Sequence, residues 1–222
     1  MNLKEKRQRE QDEMKLRRME HVLDCAFELF CEHGIDSVSM NEIALKAEIG
    51  VASLYRYFVT KESLAIQCAK QAWDIVADEF AVLFEDPEYK EKTGFEQIIV
   101  IFSIFCELYR SKEEFFRFIC YFDSYIHRNN VSIEALDSYE AGIQGTKEIV
   151  MSALQKGFED GSIRKELRQN DNGETLYYTL MHSLFALAQK LSVSGTMLAM
   201  NKKVSGSAQM KTLSQLLIAA LQ

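Results

Sequence analysis

Ser37-Val38-Ser39-Met40-Asn41-Glu42-Ile43-Ala44-Leu45-Lys46-Ala47-Glu48-Ile49-Gly50-Val51-Ala52-Ser53-Leu54-Tyr55-Arg56-Tyr57-Phe58-Val59-Thr60-Lys61-Glu62-Ser63-Leu64 is the stretch that decides the fold. Two short helical patterns flank a tight turn. Ser39 followed by Glu42 reads as a capping box, in which the hydroxyl takes a backbone N–H three residues on and the carboxylate reaches back. A helix therefore starts near Met40, holds Ile43 and Ala44 inward and stops around Ala47. From Gly50 a second helix sets Val51, Leu54 and Phe58 on one face, at spacings of three and four. Ala52, Ser53, Arg56 and Tyr57 then point outward. Thr60 caps the next helix, which Lys61 opens.

This is the pattern a helix-turn-helix needs to press the start of its second helix into a DNA major groove. Gly50, Ala52 and Ser53 are small and permit close approach, and the free N–H groups of a helix start favour anions. Tyr55 and Tyr57 carry hydroxyls on rigid arms suited to phosphate oxygens. Lys61 can add a cationic phosphate contact. Ser39 and Val51 complete the expected DNA-facing set.

The order Ile43-Ala44, Ala47, Val51, Leu54-Tyr55, Tyr57-Phe58, Lys61-Glu62 and Leu64 resembles the DNA-binding domain of the TetR family of transcriptional regulators, over roughly Val22 to Ala72. The resemblance implies backbone contacts for Tyr55 and Tyr57 and a base-reading position for Asn41. Asn41 can pair two-pronged with adenine or be a plain surface asparagine. Arg56 can read guanine or hold phosphate. Glu48 departs from the family, which usually places glycine there in a left-handed turn. Either that turn carries strain on the order of 1 kcal/mol or Gly50 absorbs the bend.

With 222 residues, 47% hydrophobic and one proline, the composition describes a packed, nearly all-helical protein of one or two domains. The net charge of −7 argues at first against nucleic acid. Its distribution softens that: residues 1–70 hold 11 Lys/Arg against 12 Asp/Glu, and residues 71–222 hold 15 against 21. An acidic chain binds DNA when a few cations are focused on one face, and the salt dependence is then modest. The first eighteen residues mix Lys4, Lys6, Arg7, Arg9, Lys15, Arg17 and Arg18 with acids. They read as a solvated helix start or, as in some family members, an arm that reaches DNA, and not as a signal peptide. No apolar run reaches the roughly 18–20 residues that span a bilayer, so no membrane partner and a soluble, cytoplasmic protein are expected. Cysteines 25, 31, 68, 106 and 120 are odd in number and form no Cys-x-x-Cys pair, which argues against a disulfide framework or zinc site. They read as small buried hydrophobes, with a thiol sensor as the alternative.

A first helix with Leu16, Met19, Leu23, Ala26, Phe27 and Phe30 on one face ends at His33-Gly34, a glycine C-cap. After the motif a long fourth helix carries Leu64, Ala69, Trp73, Val76, Ala77 and Phe80, and Asp86-Pro87 starts a break running to Lys92. Thr93 with Glu96, and Ser111 with Glu114, read as capping boxes for the fifth and sixth helices. The seventh ends at Gly161, and Asp171 with Glu174 opens an eighth. On that helix Leu176, Leu180, Leu184 and Leu191 run beside Tyr177, Met181, Phe185 and Ala188, two adjacent apolar stripes that must face a core and something else. A ninth carries Leu213, Leu216, Leu217 and Ala220 after a loop of small and polar residues from Ser194 to Gln209. In the family the last two helices pair with their copies, so Tyr177, Met181, Leu184, Phe185, Leu213 and Leu217 are expected at a homodimer interface.

Ten of the chain's 24 aromatics fall between Phe95 and Tyr125. They are either ordinary core or the lining of the cavity in which the family binds its effector, since such cavities are mostly apolar. Phe102, Phe105, Tyr109, Phe118, Tyr121, Phe122 and Tyr125 are the expected effector-binding set. Asp123 and His127, four apart, read as a surface pair and alternatively as effector anchors. The fold class is thus all-α, about nine helices, with an N-terminal helix-turn-helix DNA-binding domain over 1–65 and a helical effector-binding and dimerisation domain over 66–222. The partners expected are double-stranded operator DNA, a small apolar or aromatic effector and a second copy of the chain, with no cofactor and no metal. The function expected is a transcriptional regulator, most often a repressor released by its effector. A protein-binding coregulator that has lost operator binding is the alternative. An enzyme is disfavoured, because His21, His33, His127 and His182 are scattered and no nucleophile, metal or phosphate motif is present.

Overall fold

The computed structural model describes residues 3–195, 197 and 203–222, and among them the secondary structure is entirely helical. The α-helices are α1 (Leu3–His33), α2 (Met40–Lys46), α3 (Val51–Tyr57), α4 (Lys61–Glu85), α5 (Pro87–Glu91), α6 (Gly94–Ser111), α7 (Glu113–Arg128), α8 (Asp137–Asp160), α9 (Glu174–Ser194) and α10 (Gly206–Ala219). Two 3-10 turns, Ile133–Leu136 and Lys165–Arg168, precede α8 and α9. The count exceeds nine because the expected break at Pro87 is itself a short helix. The Asp86 carboxylate accepts the Glu88 N–H at 2.9 Å, and proline suits a helix's first turn.

The chain forms two compact units, Met1–Gln71 with Tyr121–Leu136, and Ala72–Cys120 with Asp137–Gln222. Compactness therefore divides the chain at Gln71 rather than at 65, and assigns the second half of α7 to the first unit. In that unit α1 packs on α2 and α2 on α3, around Val22, Ala26, Phe30, Ile43, Leu54, Phe58 and Leu64. Gly34, in the left-handed region at φ 78°, ends α1 by returning its N–H to Phe30 at 2.9 Å. The start of α1 is exposed on all sides from Glu5 to Arg18, and Leu16, expected inward, is 57% exposed. It is held by i,i+4 pairs such as Arg9 with Glu13 at 3.0 Å.

In the second unit α6 packs on α8, and α10 on both α6 and α9. Glycine sets the α6–α8 approach: a Cβ added at Gly94 would stand 2.0 Å from the Gly157 nitrogen. Thr93 and Glu96 form the expected capping box. Ser111 does not cap α7. It is the last residue of α6, and its hydroxyl donates to the Glu107 carbonyl at 2.9 Å. Asp171 caps the start of α9 by accepting the Gly173 and Thr175 N–H groups at 3.0 and 2.9 Å. The expected loop to Gln209 ends earlier, because Ser205 caps α10 through the Ala208 N–H; residues 196 and 198–202 lie outside the described ones.

A candidate nucleic-acid interface

The turn between α2 and α3 is a Schellman motif. Ala47 is the C-cap of α2, the Glu48 N–H returns to Leu45 at 3.2 Å, and the Ile49 N–H returns to Ala44 at 3.0 Å. Glu48 occupies the left-handed position at φ 54°, where glycine is the usual solution. Gly50 is extended (φ −67°, ψ 139°), so it does not absorb the bend. It precedes α3 with no side-chain cap, and its carbonyl accepts from Ser53 and Leu54 at 2.8 and 3.1 Å.

Upstream, the capping box is complete: the Ser39 backbone N–H and hydroxyl both donate to Glu42 Oε2 at 2.7 Å, and the hydroxyl accepts the Glu42 N–H. Those bonds, the Ser39 hydroxyl first, hold the Glu42 carboxyl below its ordinary pKa. Asn41 is exposed on the first turn of α2. On α3, Leu54 is buried and Val51 half-buried, and Phe58 is buried at the C-cap. Ala52, Tyr55 and Arg56 are exposed, with Ser53 and Tyr57 half-buried. The Arg56 guanidinium donates to the Ser53 hydroxyl at 2.9 Å, which holds the cation over the first turns of the helix.

The neighbouring cations are paired within the chain, Lys46 at the surface and Lys61 against the backbone. Lys46 pairs with Glu28 at 2.8 Å. Lys61 corrects the sequence expectation of a free phosphate-binding cation: its ammonium donates to the carbonyls of Ile35, Asp36 and Val38 at 2.9, 3.1 and 3.0 Å. An ammonium has three protons, and three carbonyls take them. Burial lowers the Lys61 pKa, opposed by Asp36 and Glu42. The nitrogen also lies 5.8 Å from the Tyr125 ring centre, and Arg128 of the same helix pairs with Asp36. Sequence reasoning overlooked Leu45 and Val59, apolar side chains 80% and 78% exposed on this motif. The signal was available, since Leu45 lies off the inward positions of α2 and Val59 falls in the link between α3 and α4.

The expected effector residues fall in both units. Phe102, Phe105, Tyr109 and Phe118 are buried in the second; Phe122 and Tyr125, buried, and Tyr121, half-buried, belong to the first. Asp123 and His127 are exposed. The expected dimer set needs correction. Leu184 is fully buried within the single chain, Tyr177 and Met181 are 7% and 9% exposed, and Phe185 packs its ring on Phe105 at 5.0 Å. Most of both stripes of α9 is covered by its own unit, because α9 lies against α8 and α10 at once, with Leu176, Phe185 and Leu191 left half-buried. Leu213 and Leu217 are half-buried. The exposed face of α9 is instead Thr175, Tyr178, Thr179, His182 and Ala186, and that of α10 includes Thr212 and Leu216.

Three of the five cysteines are shielded from solvent, with Cys106 and Cys120 half-buried. Cys25, Cys31 and Cys68 are buried, and burial pushes the Cys68 thiol far above its ordinary pKa. Among the described residues no helix is long and apolar enough to cross a membrane, and no cluster of three His, Cys, Asp or Glu could hold a metal ion.

Residues 22–68 match the family model for bacterial regulatory proteins of the tetR family. The chain is 33% identical over 67 residues to the HTH-type transcriptional regulator SAUSA300_2515 of Staphylococcus aureus (strain USA300), which is 30% of this chain and 36% of that protein. It thus spans about a third of the length of the curated relatives it matches. Among solved structures it is similar to a transcriptional regulator FadR from Bacillus subtilis in complex with stearoyl-CoA. That likeness has a TM-score of 0.62 and 19% identity, covering 91% of this chain and 98% of the other. It is also similar to Thermus thermophilus FadR, a repressor in complex with lauroyl-CoA, with a TM-score of 0.55 and 17% identity, covering 92% and 95%. At these identities the structural likeness concerns the fold.

Proposed function

We propose that this chain, whose residues 22–68 match the tetR family of bacterial regulatory proteins, is a sequence-specific DNA-binding transcriptional regulator of that family, a repressor released from its operator by a small, largely apolar effector. One observation carries the reading: a Schellman turn delivers the uncapped start of α3 to the surface, with Tyr55 49% exposed and Arg56 beside it. In this reading residues 1–65 bind DNA and 66–222 bind effector and dimerise, in the cytoplasm. Asn41 reaches a base edge, and Arg56, Tyr55, Tyr57 and the amides around Val51, Ala52 and Ser53 meet phosphate. With Lys61 held by three backbone carbonyls and Lys46 in a surface pair with Glu28, few phosphates are neutralised, and the salt slope is shallow.

Control by an effector is supported by the concentration of buried aromatic residues, which suits an apolar ligand. The relatives solved with stearoyl-CoA and lauroyl-CoA make long-chain acyl-CoA thioesters the first class to screen. Homodimerisation through the exposed faces of α9 and α10 would present two copies of α3 to a pseudo-palindromic operator. A protein-binding coregulator is the second reading, favoured by the surface pairing of Lys46 with Glu28, by the three carbonyls that take the Lys61 ammonium and by the net charge of −7.

Selection of bound duplexes from a random DNA pool, followed by gel shift, separates the two. The regulator reading expects one enriched pseudo-palindrome, bound more weakly by Tyr55→Phe and Arg56→Ala at unchanged melting temperature. A pool that enriches nothing at low salt would leave the coregulator.

A further inference from the structure

Trp73, the chain's only tryptophan, lies on α4 with 5% of its surface exposed, and its indole Nε1 has no hydrogen-bond partner among the described residues. Aromatic rings enclose it: Phe115 edge-on at 5.2 Å and Phe185 at 5.6 Å, with Phe185 in turn on Phe105 and Phe116 at 5.0 and 5.7 Å. Two turns along α9 from Phe185, on the same side of that helix, Ser192 is also 5% exposed and its hydroxyl is unpartnered among the described residues. Arg117 fastens this part of α9 to α7 by donating through Nε to the Ser192 carbonyl at 2.9 Å. These elements all belong to the second unit.

A buried donor left unpaired costs about 1–3 kcal/mol, and native interiors hold few such groups. An edge-on ring is only a weak acceptor for an N–H. The two orphans share one chemistry: each can donate to an oxygen that arrives from outside. A carboxylate would need a cation, and Arg117 is already engaged with the Ser192 carbonyl and, at 3.4 Å, with Glu113. A neutral carbonyl oxygen accepts without that requirement and costs less to bury.

We infer that the Trp73 indole N–H and the Ser192 hydroxyl are hydrogen-bond donors to carbonyl oxygens of an elongated apolar acyl effector, ester or thioester, seated in the Trp73–Phe115–Phe185 aromatic cluster. The inference rests on the effector reading above and specifies its chemistry. Phe185, half-buried while Phe105, Phe115 and Phe116 are buried, is the ring that yields on entry.

A single tryptophan gives a single indole N–H resonance in the 15N-labelled full chain, so the donor is observed directly. The probes are lauroyl-CoA and S-dodecyl-CoA, a thioether that lacks the acyl carbonyl. Lauroyl-CoA should move the indole resonance downfield, and Trp73→Phe and Ser192→Ala should each bind it about tenfold more weakly, the equivalent of one hydrogen bond. Trp73→Phe should bind S-dodecyl-CoA as tightly as wild type does. Equal lauroyl-CoA affinity in wild type and both variants would overturn the inference and leave effector control standing. No binding of lauroyl-CoA by the wild type at micromolar concentration would overturn the acyl-carbonyl class, while release of selected operator DNA by other apolar compounds would still uphold effector control.

Discussion

The ammonium of Lys61 lies 2.9 Å from the Ile35 carbonyl oxygen, and with the carbonyls of Asp36 and Val38 it ties the start of α4 to the loop that leads into α2. Lys61→Met keeps the stem but leaves three carbonyls to part-time water, so it should lower stability by about 1–3 kcal/mol. Because this nitrogen is not free for phosphate, the salt slope of operator binding should stay as in wild type. Arg56→Ala should lower it by about one. Denaturant titration and salt-dependent gel shifts read both quantities. An unchanged melting temperature with a reduced slope in Lys61→Met would restore the phosphate role.

Glu48 sits at φ 54°, and its N–H closes the Schellman turn through a backbone bond that glycine keeps. Replacing it with glycine removes the left-handed cost, offset in part by the freer unfolded chain. Glu48→Gly should therefore raise stability by up to about 1 kcal/mol, and Glu48→Val should lower it, since a β-branched residue tolerates the left-handed region poorly. A loss of stability in the glycine variant, measured by denaturant unfolding, would show that the glutamate side chain contributes more than its backbone costs.

Acid sensitivity follows from the two capping boxes. The carboxyls of Glu42 and Glu96 are held below their ordinary pKa, Glu42 chiefly by the Ser39 hydroxyl and Glu96 chiefly by the Thr93 N–H. A lowered folded-state pKa means that the unfolded chain takes up the proton first. The stabilisation is thus full above the ordinary carboxylate range, near 4.3, and is lost as pH falls through the folded-state value. Melting temperatures of wild type should drop between pH 6 and pH 3 more steeply than those of Ser39→Ala with Thr93→Ala. Parallel pH profiles would contradict the assignment.

Leu184 and Leu216 separate folding from assembly. Leu184 is fully buried in the single chain and Leu216 is 65% exposed on α10. Leu184→Glu places an unpaired charge in the core and should unfold the second unit. Leu216→Glu should leave the chain folded and, if α9 and α10 form the dimer face, give monomers in sedimentation. A dimer that survives Leu216→Glu at micromolar concentration would place the interface elsewhere.

Features that depend on neighbours a few residues away in the chain were legible in advance. The capping boxes at Ser39 and Thr93 and the glycine caps after His33 and Asp160 came from i to i+3 or i+4 chemistry, which the residues specify wherever the helix packs, whereas the choice between Glu48 and Gly50 for the bend was settled by the backbone itself. The helical class and the helix-turn-helix come from the same source, because apolar spacing fixes which face each helix must bury.

Which partner covers a face is not written in spacing. The double stripe of α9 demands two partners but is silent on whether they are α8 and α10 of the same chain or a second copy, and tertiary packing chose the former. Lys61 follows the same logic: a lysine at a helix start reads as a free cation until a loop 23 to 26 residues away lends it three carbonyls. Trp73 reads as core filler until the rings around it are seen to leave its N–H unpaired. The sequence by itself determined most of the elements, the caps at Ser39 and Thr93 and the recognition motif, since those rest on local geometry. Only the tertiary structure decided which polar groups are consumed and which stay available, because hydrogen-bond satisfaction and burial depend on contacts the linear order does not contain.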